Sequence, residues 1–239
     1  MNATAQSPDG SGRMFDAIAQ RYDLLNRINS LGLDRSWRRR MIEALSILPG
    51  HRVLDLATGT ADLPTMIADQ LADVRVVGLD PSTNMLDVGR GKVERSGHAE
   101  RIELVEGDAQ ALQFADGSFD RATMAFGIRN VPDRDLALKE ICRVLVPGGR
   151  FAVLELSEPK NGFLAAMARL HVKYGVPAIG ALLSSHGEYK YLRESIEAFD
   201  SVETFEDRLV RAGFEVELVE PLTFGACVLF VGKRREVDA

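Results

Sequence analysis

Hydrophobic positions return along this chain in two alternating rhythms. Short apolar runs bounded by turn residues predict strands at Arg52 to Ala57, Val74 to Leu79, Ile102 to Glu106, Asp120 to Ala125 and Arg150 to Leu156. Between them, apolar side chains recur every three or four positions and predict helices over Asp62–Leu71, Ser82–Ser96 and Asp133–Leu145. Ser82 or Asn84 suits the cap of the second of these helices, Pro132-Asp133 marks the start of the third, and Pro147-Gly148-Gly149 reads as the turn that ends it. Upstream, Met14 to Asn29 and Arg35 to Leu48 read as two further helices, the first with Phe15, Ile18, Tyr22 and Leu25 at helical spacing. Strand–helix alternation of this kind implies a parallel sheet covered on both faces.

After Leu156 the rhythm changes. Asn161 to Ser185 is a mostly apolar helical segment broken at Gly175, Pro177 and Gly180, and Glu188 to Phe199 and Val202 to Ala212 are further helices. Two β-rich runs close the chain, Phe214 to Pro221 and Ala226 to Lys233. Their short separation favours an antiparallel hairpin at the sheet edge. The expected fold is α/β and doubly wound: a mostly parallel seven-stranded sheet with a reversed last strand. Residues 1–13 read as a disordered tail and 14–239 as one domain, with an N-terminal helical cap over 14–48 and a helical insert over 161–200.

Composition narrows the function classes. The 239 residues are 46% hydrophobic and 27% charged, an ordinary globular balance, and the formal net charge of -6 argues against a nucleic-acid surface. The one basic cluster, Arg35-Ser-Trp-Arg-Arg-Arg40, reads first as a solvated helix face and second as a contact for a membrane surface or an anionic substrate. Cys142 and Cys227 sit in apolar contexts and are expected to be buried and unbridged, as in a reducing compartment. No apolar run has the length to span a bilayer and no signal peptide is visible, so the expected location is cytoplasmic.

The most informative stretch is Arg52-Val-Leu-Asp-Leu-Ala-Thr-Gly-Thr-Ala-Asp62, a strand that ends in a small-residue turn before a helix. The next strand ends in Asp80, whose carboxylate can accept from both hydroxyls of a ribose. Gly107-Asp108-Ala109 after the third strand adds a carboxylate for the exocyclic amine of adenine, or a plain helix cap. The turn Thr58-Gly59-Thr60 lacks the three glycines of a pyrophosphate cradle. A nucleoside without a diphosphate fits better. S-adenosyl-L-methionine meets that description, with NAD as the runner-up.

Two longer signatures carry a resemblance. They are Tyr22-Asp-Leu-Leu-Asn26 with Ser30 and Trp37, and Arg143-Val-Leu-Val-Pro-Gly-Gly-Arg-Phe-Ala-Val-Leu-Glu155-Leu-Ser157. Phe126-Gly-Ile-Arg-Asn-Val131 and Tyr189-Lys-Tyr-Leu-Arg-Glu-Ser195 extend it. From Met14 to Lys233 the chain resembles the ubiquinone/menaquinone biosynthesis C-methyltransferase family, within the class I S-adenosylmethionine-dependent methyltransferases. Asp34, Val146 and Ala125 stand where that family usually has His, Lys and often Ser. The resemblance implies that Thr60, Asp80, Asp108 and Ala109 contact the cofactor, and Thr58 and Gly59 of the same turn are read as cofactor-binding with them. It also implies carbon methylation of a prenylated quinol ring.

That chemistry needs a hydroxyl deprotonated, a ring carbon held near the methyl donor, and water kept out. The candidates are Arg129 and Asn130 after the fourth strand, and Tyr22 and Asp23 on the first helix. Arg129 is a permanent cation, suited to stabilising a phenolate or orienting a water, and equally a residue tied to loop carbonyls. For Tyr22 the competing reading is a core aromatic with its hydroxyl at the rim. His171 and His186 are expected to be structural or surface residues, and no metal is required. The insert over 163–183 reads as a buried helix or as a lid over an isoprenoid tail. Transient membrane contact, at the inner face, would run through Arg35–Arg40 and this insert. The turn Gly59-Thr-Ala-Asp-Leu63 favours demethylmenaquinol over a ubiquinone-pathway benzoquinol. A non-catalytic quinone- or nucleoside-binding role is the reading from another class, and self-association into a homo-oligomer is compatible with the sequence.

Overall fold

The central strands are apolar on both faces, and that dictates where every helix lies. In β1 (Arg52–Leu56), Val53 points to one side and Leu54 and Leu56 to the other, and all three are fully buried. A strand with no polar face has to be covered twice. The computed structural model describes residues 19, 23, 27, 30, 32–157 and 194–236. It places helices on both faces.

β1 pairs in parallel with β2 (Arg75–Asp80) on one side and β4 (Phe119–Ala125) on the other. β3 (Ile102–Glu106) lies outside β2, and β5 (Leu145–Leu156) lies outside β4. The last strand, β7 (Cys227–Arg234), runs antiparallel between β5 and β6 (Phe214–Leu222), so the order is β3-β2-β1-β4-β5-β7-β6. The expected reversed strand and edge hairpin are both present. The rim is formed by β6, because β7 inserts beside β5.

One core joins Val53, Val76, Ala152, Leu154 and Leu229 to α1 (Asp34–Ala44), α2 (Asp62–Gln70) and Val93 of α3 (Thr83–Ser96). The other joins Leu54, Leu56, Met124, Phe151, Val153 and Phe230 to α4 (Arg134–Val144) and α5 (Val202–Arg211). The alternation of odd and even strand positions between the two cores is the period-2 pleat made visible. Ser82 accepts from Met85 N to cap α3, Asp133 accepts from Leu136 N to cap α4, and Ser201 caps α5 in the same way. Cys142 and Cys227 are free thiols.

Two local expectations are corrected. Pro147-Gly148-Gly149 does not separate helix from strand: β5 begins at Leu145, directly after α4, and carries the three residues as an irregularity. Leu145 pairs with Phe119, whereas Arg150 pairs with Arg121. Gly148 takes φ +74°, and a side chain on Gly149 would meet the Val146 carbonyl oxygen at 2.8 Å. The basic cluster, in turn, is not one solvated face. Trp37 and Arg38 are buried, Arg40 pairs with Glu220, and Arg35 and Arg39 stay exposed.

The described part of the predicted helix 188–199 is helical at 194–197. The tail 1–13, most of the helix over 14–29, the insert over 163–183, and Tyr22, His171 and His186 lie outside the described residues. Among the described residues no helix is long and apolar enough to cross a membrane.

Phe205 of α5 is fully buried and packs edge-on against Phe230 of β7, with ring centroids 4.9 Å apart. Phe205→Ala is expected to lower stability by about 3–5 kcal/mol through the cavity it leaves, read as a shift in the urea midpoint. A loss below about 1 kcal/mol would show that α5 is not part of the folded core.

Candidate active site

The strand order reverses about β1, whose two neighbours send their loops to opposite sides, and such a switch point leaves a crevice at the carboxyl ends of the strands. The backbone here is strained. Ala57, the first residue after β1, has φ +50°, and Phe126, the first after β4, has φ +63°; Gly59 and Ala61 add φ +56° and +61°. The two loops also touch, since a Cβ on Gly127 would fall 2.5 Å from that of Ala57. Between them opens a cavity of about 160 Å³, lined by Gly59, Asp80, Met85, Asp108, Ala109, Met124, Phe126 and Asn130, among others.

Asp80 ends β2 inside this cavity. Its Oδ2 accepts from Gly59 N at 2.8 Å and its Oδ1 from Ser82 N at 2.9 Å, so the carboxylate is held rigid by two backbone donors. Asp108 is exposed on the cavity wall. It is not the cap of a helix: Oδ1 accepts from Gln110 N at 2.9 Å, and the backbone makes a turn to Ala111. Ala109 is buried in the wall beside it. The sequence-predicted trio therefore converges.

The hydroxyls of the turn's two threonines have protein partners. Thr58 Oγ1 donates to Asp55 Oδ2 and Thr123 Oγ1 donates to Asp55 Oδ1, each at 2.6 Å. Burial pushes the Asp55 carboxyl up to about 6, against the pull of these two hydroxyls. Thr60 Oγ1 donates to Asp23 Oδ1 at 2.6 Å and accepts from Lys92 Nζ at 2.8 Å; Lys92 also pairs with Asp62 and Asp23. Both hydroxyls thus bind protein partners, and they fix the turn's shape.

Arg129 lies on the 3₁₀ turn Ile128–Asn130. Its Nη1 donates to Glu155 Oε1 at 2.6 Å and to the Phe126 carbonyl at 2.7 Å, and its own N–H donates to Glu155 Oε2. Glu155 is 0% exposed, and Arg129 Nε has no hydrogen-bond partner. The loop-tying reading of Arg129 is thus realised. Asn130 lines the cavity directly.

Sequence reasoning passed over Arg38, Asp55, Lys92 and Glu155. One signal was available: Trp37, Arg38, Met41 and Ile42 form the buried stripe of α1, so Arg38 occupies a core position by spacing. Among the described residues no group of three or more His, Cys, Asp or Glu is set to hold a metal ion.

The donor set fits S-adenosylmethionine. A carboxylate preorganised for a diol, a second carboxylate on the wall and the apolar side chains of Met85 and Met124 suit an adenosine, and among the described residues no cationic side chain lines this cavity to meet a diphosphate.

The model of the ubiE/COQ5 methyltransferase family matches residues 4–234. A demethylmenaquinone methyltransferase of Thermus thermophilus is 44% identical over 222 residues, spanning 92% of this chain and 100% of that one. A ubiquinone/menaquinone biosynthesis C-methyltransferase of Geotalea daltonii is 41% identical, over 92% and 94% of the two chains. A solved SAM-dependent methyltransferase from Aquifex aeolicus superposes with a TM-score of 0.66 over 91% of this chain and 97% of that one; at 16% identity this speaks to the fold.

The raised Asp55 carboxyl gives a pH signature. Folding contributes most from this group below the unfolded value of 3.8, and that contribution is lost as pH rises through about 6. Asp55→Asn removes the cost of burying the charge. Relative to the wild type, the variant is expected to gain roughly 2–3 kcal/mol between pH 4 and pH 7.5, by urea denaturation at each pH. A flat difference across that window refutes the assignment.

Proposed function

Because this chain belongs to the ubiE/COQ5 methyltransferase family and is an S-adenosylmethionine-dependent methyltransferase, we propose that it methylates a ring carbon of a prenylated quinol, with demethylmenaquinol as the substrate. The observation that carries this reading is the continuity of one cavity from the Asp80 carboxylate to the Asn130 loop. A nucleoside end and an acceptor end share a single recess. The name of the Geotalea daltonii relative supports the ubiquinone-pathway benzoquinol as the second reading.

S-adenosylmethionine supplies an electrophilic methyl group on a sulfonium. The chain's own residues have to make the ring carbon reactive, which requires a neighbouring hydroxyl to lose its proton. Asn130, on the cavity wall, holds that oxygen through its side-chain amide. Arg129, on the same 3₁₀ turn, is fixed by Glu155, and its permanent positive charge steadies phenolate charge at a distance. Truncating Arg129 alone leaves Glu155 buried without its cation, a fault costing about 3–5 kcal/mol, so Asn130 is the cleaner probe.

Peripheral membrane contact brings the enzyme to a lipid-borne substrate. Arg35 and Arg39 are exposed on α1, and Trp37 Nε1 donates to Thr223 Oγ1 at 2.8 Å, joining α1 to the turn Thr223–Gly225. Phe224 in that turn is 70% exposed at φ +58°, an apolar tip beside cationic side chains.

Labelled methyl from S-adenosylmethionine is expected in demethylmenaquinol offered in reduced form, at a rate exceeding that with the benzoquinol. Asn130→Ala should lower kcat about 100-fold while S-adenosylhomocysteine affinity stays within about threefold. Transfer to neither quinol sinks the reading.

In flotation, the protein should rise with anionic vesicles, and Phe224→Ser should weaken recovery. Equal recovery of both proteins, or none with any lipid, removes the membrane contact.

A further inference from the structure

Arg134 is the first residue of α4, where a cation meets the positive end of the helix dipole. Helix formation alone does not favour it there. Its guanidinium is divided between two neighbours instead. Nε donates to the Ile128 carbonyl at 3.3 Å and Nη2 to the Arg129 carbonyl at 3.0 Å. Nη1 donates to Asp200 Oδ2 at 3.2 Å, and the guanidinium carbon lies 5.2 Å from the centre of the Phe199 ring. The side chain is largely buried.

Both carbonyls belong to the 3₁₀ turn Ile128–Asn130. So short a turn makes few bonds of its own, and 3₁₀ hydrogen bonds have poorer geometry than those of an α-helix. Here each peptide plane is held at both ends. In the Ile128–Arg129 peptide, the N–H donates to Glu155 Oε2 at 3.2 Å and the carbonyl accepts from Arg134 Nε. In the Arg129–Asn130 peptide, the N–H donates to the Gly127 carbonyl at 3.0 Å and the carbonyl accepts from Arg134 Nη2. Peptide units are planar, so the second plane sets where the Asn130 side chain leaves the backbone. Spanning two successive carbonyls takes the planar fork of a guanidinium; a lysine ammonium is a single point. Behind Arg134, Asp200 accepts from Arg208 Nε at 3.0 Å, and Arg208 also pairs with Asp135 at 2.7 Å.

We infer that Arg134 is a positioning residue for methyl transfer: it fixes the Arg129–Asn130 peptide so that the Asn130 amide meets the acceptor hydroxyl. The inference rests on the role given to Asn130 above, and deepens it. In the bland alternative Arg134 only fastens α4 to the segment before α5 through Asp200, and its loss lowers stability alone.

Labelled-methyl transfer to demethylmenaquinol, S-adenosylhomocysteine titration and a urea midpoint for each protein separate the two. Arg134→Gln is expected to lower kcat about 30-fold, with the quinol KM and S-adenosylhomocysteine affinity each changed less than about threefold. Arg134→Lys still reaches one carbonyl and should lose only about fivefold in kcat. Arg208→Gln cuts the same network beyond Asp200, and should lower the urea midpoint while kcat stays within about twofold. An unchanged kcat in Arg134→Gln, or an equal loss of kcat in Arg134→Gln and Arg208→Gln, overturns the inference. Should Arg134→Gln not fold, an unchanged kcat in Arg134→Lys overturns it in the same way. Absence of transfer by the wild type to either quinol, or an unaltered kcat in Asn130→Ala, removes the reading of the acceptor site itself, and the role of Arg134 with it.

Discussion

A single buried carboxylate holds the centre of this molecule together. Asp55 lies in β1 with no access to water, accepts from Thr58 in the turn that follows and from Thr123 in the neighbouring β4, and so ties three segments at the switch point of the sheet. A charge in such a place is unfavourable unless it is fully hydrogen-bonded. The two hydroxyls offset part of that cost, and in doing so they set the geometry of the turn. The turn in turn presents Gly59 N to Asp80 and aims the Asp80 carboxylate into the cavity. Strain at Ala57 and Phe126 persists because this network over-determines the backbone around it.

A second polar network attaches the N-terminal part of the chain to the same turn. Lys92 on α3 meets Asp23, Thr60 and Asp62, while Arg38 on α1 meets Asp34 and Asp62. Ser30 donates to Asp34 at 2.9 Å and extends the chain of contacts. Helices that look like a separate cap in sequence thus share charges with the cofactor turn. Their placement and the shape of the turn are one problem. Arg129 and Glu155 play the matching part on the other side, joining the loop after β4 to the end of β5.

The chemistry is divided along the same lines. The Asp80 side of the cavity is built from a strand end and backbone donors, and the 3₁₀ turn at Ile128–Asn130 forms part of another wall. A fold of this kind serves many substrates by changing such loops.

Much of this was legible in the chain. Buried strands and amphipathic helices announce themselves by period, so the seven strands fell within a few residues of their expected places, and the acidic ends at Asp80 and Asp108 marked the cleft. What failed did so where a side chain's partner is remote in sequence. The partners of the Thr58 and Thr60 hydroxyls, Asp55, Asp23 and Lys92, were not legible. Arg38 looked like one of a row of surface cations. Asp108 offered two roles, cap and wall, and only the turn at Gln110 chose. Local periodicity determined the elements because each apolar residue needs only to know which face is dry, whereas the strand order came from the tertiary structure. Which polar group meets which was decided by tertiary structure alone, since a buried charge is tolerable only beside a partner that folding brings from elsewhere.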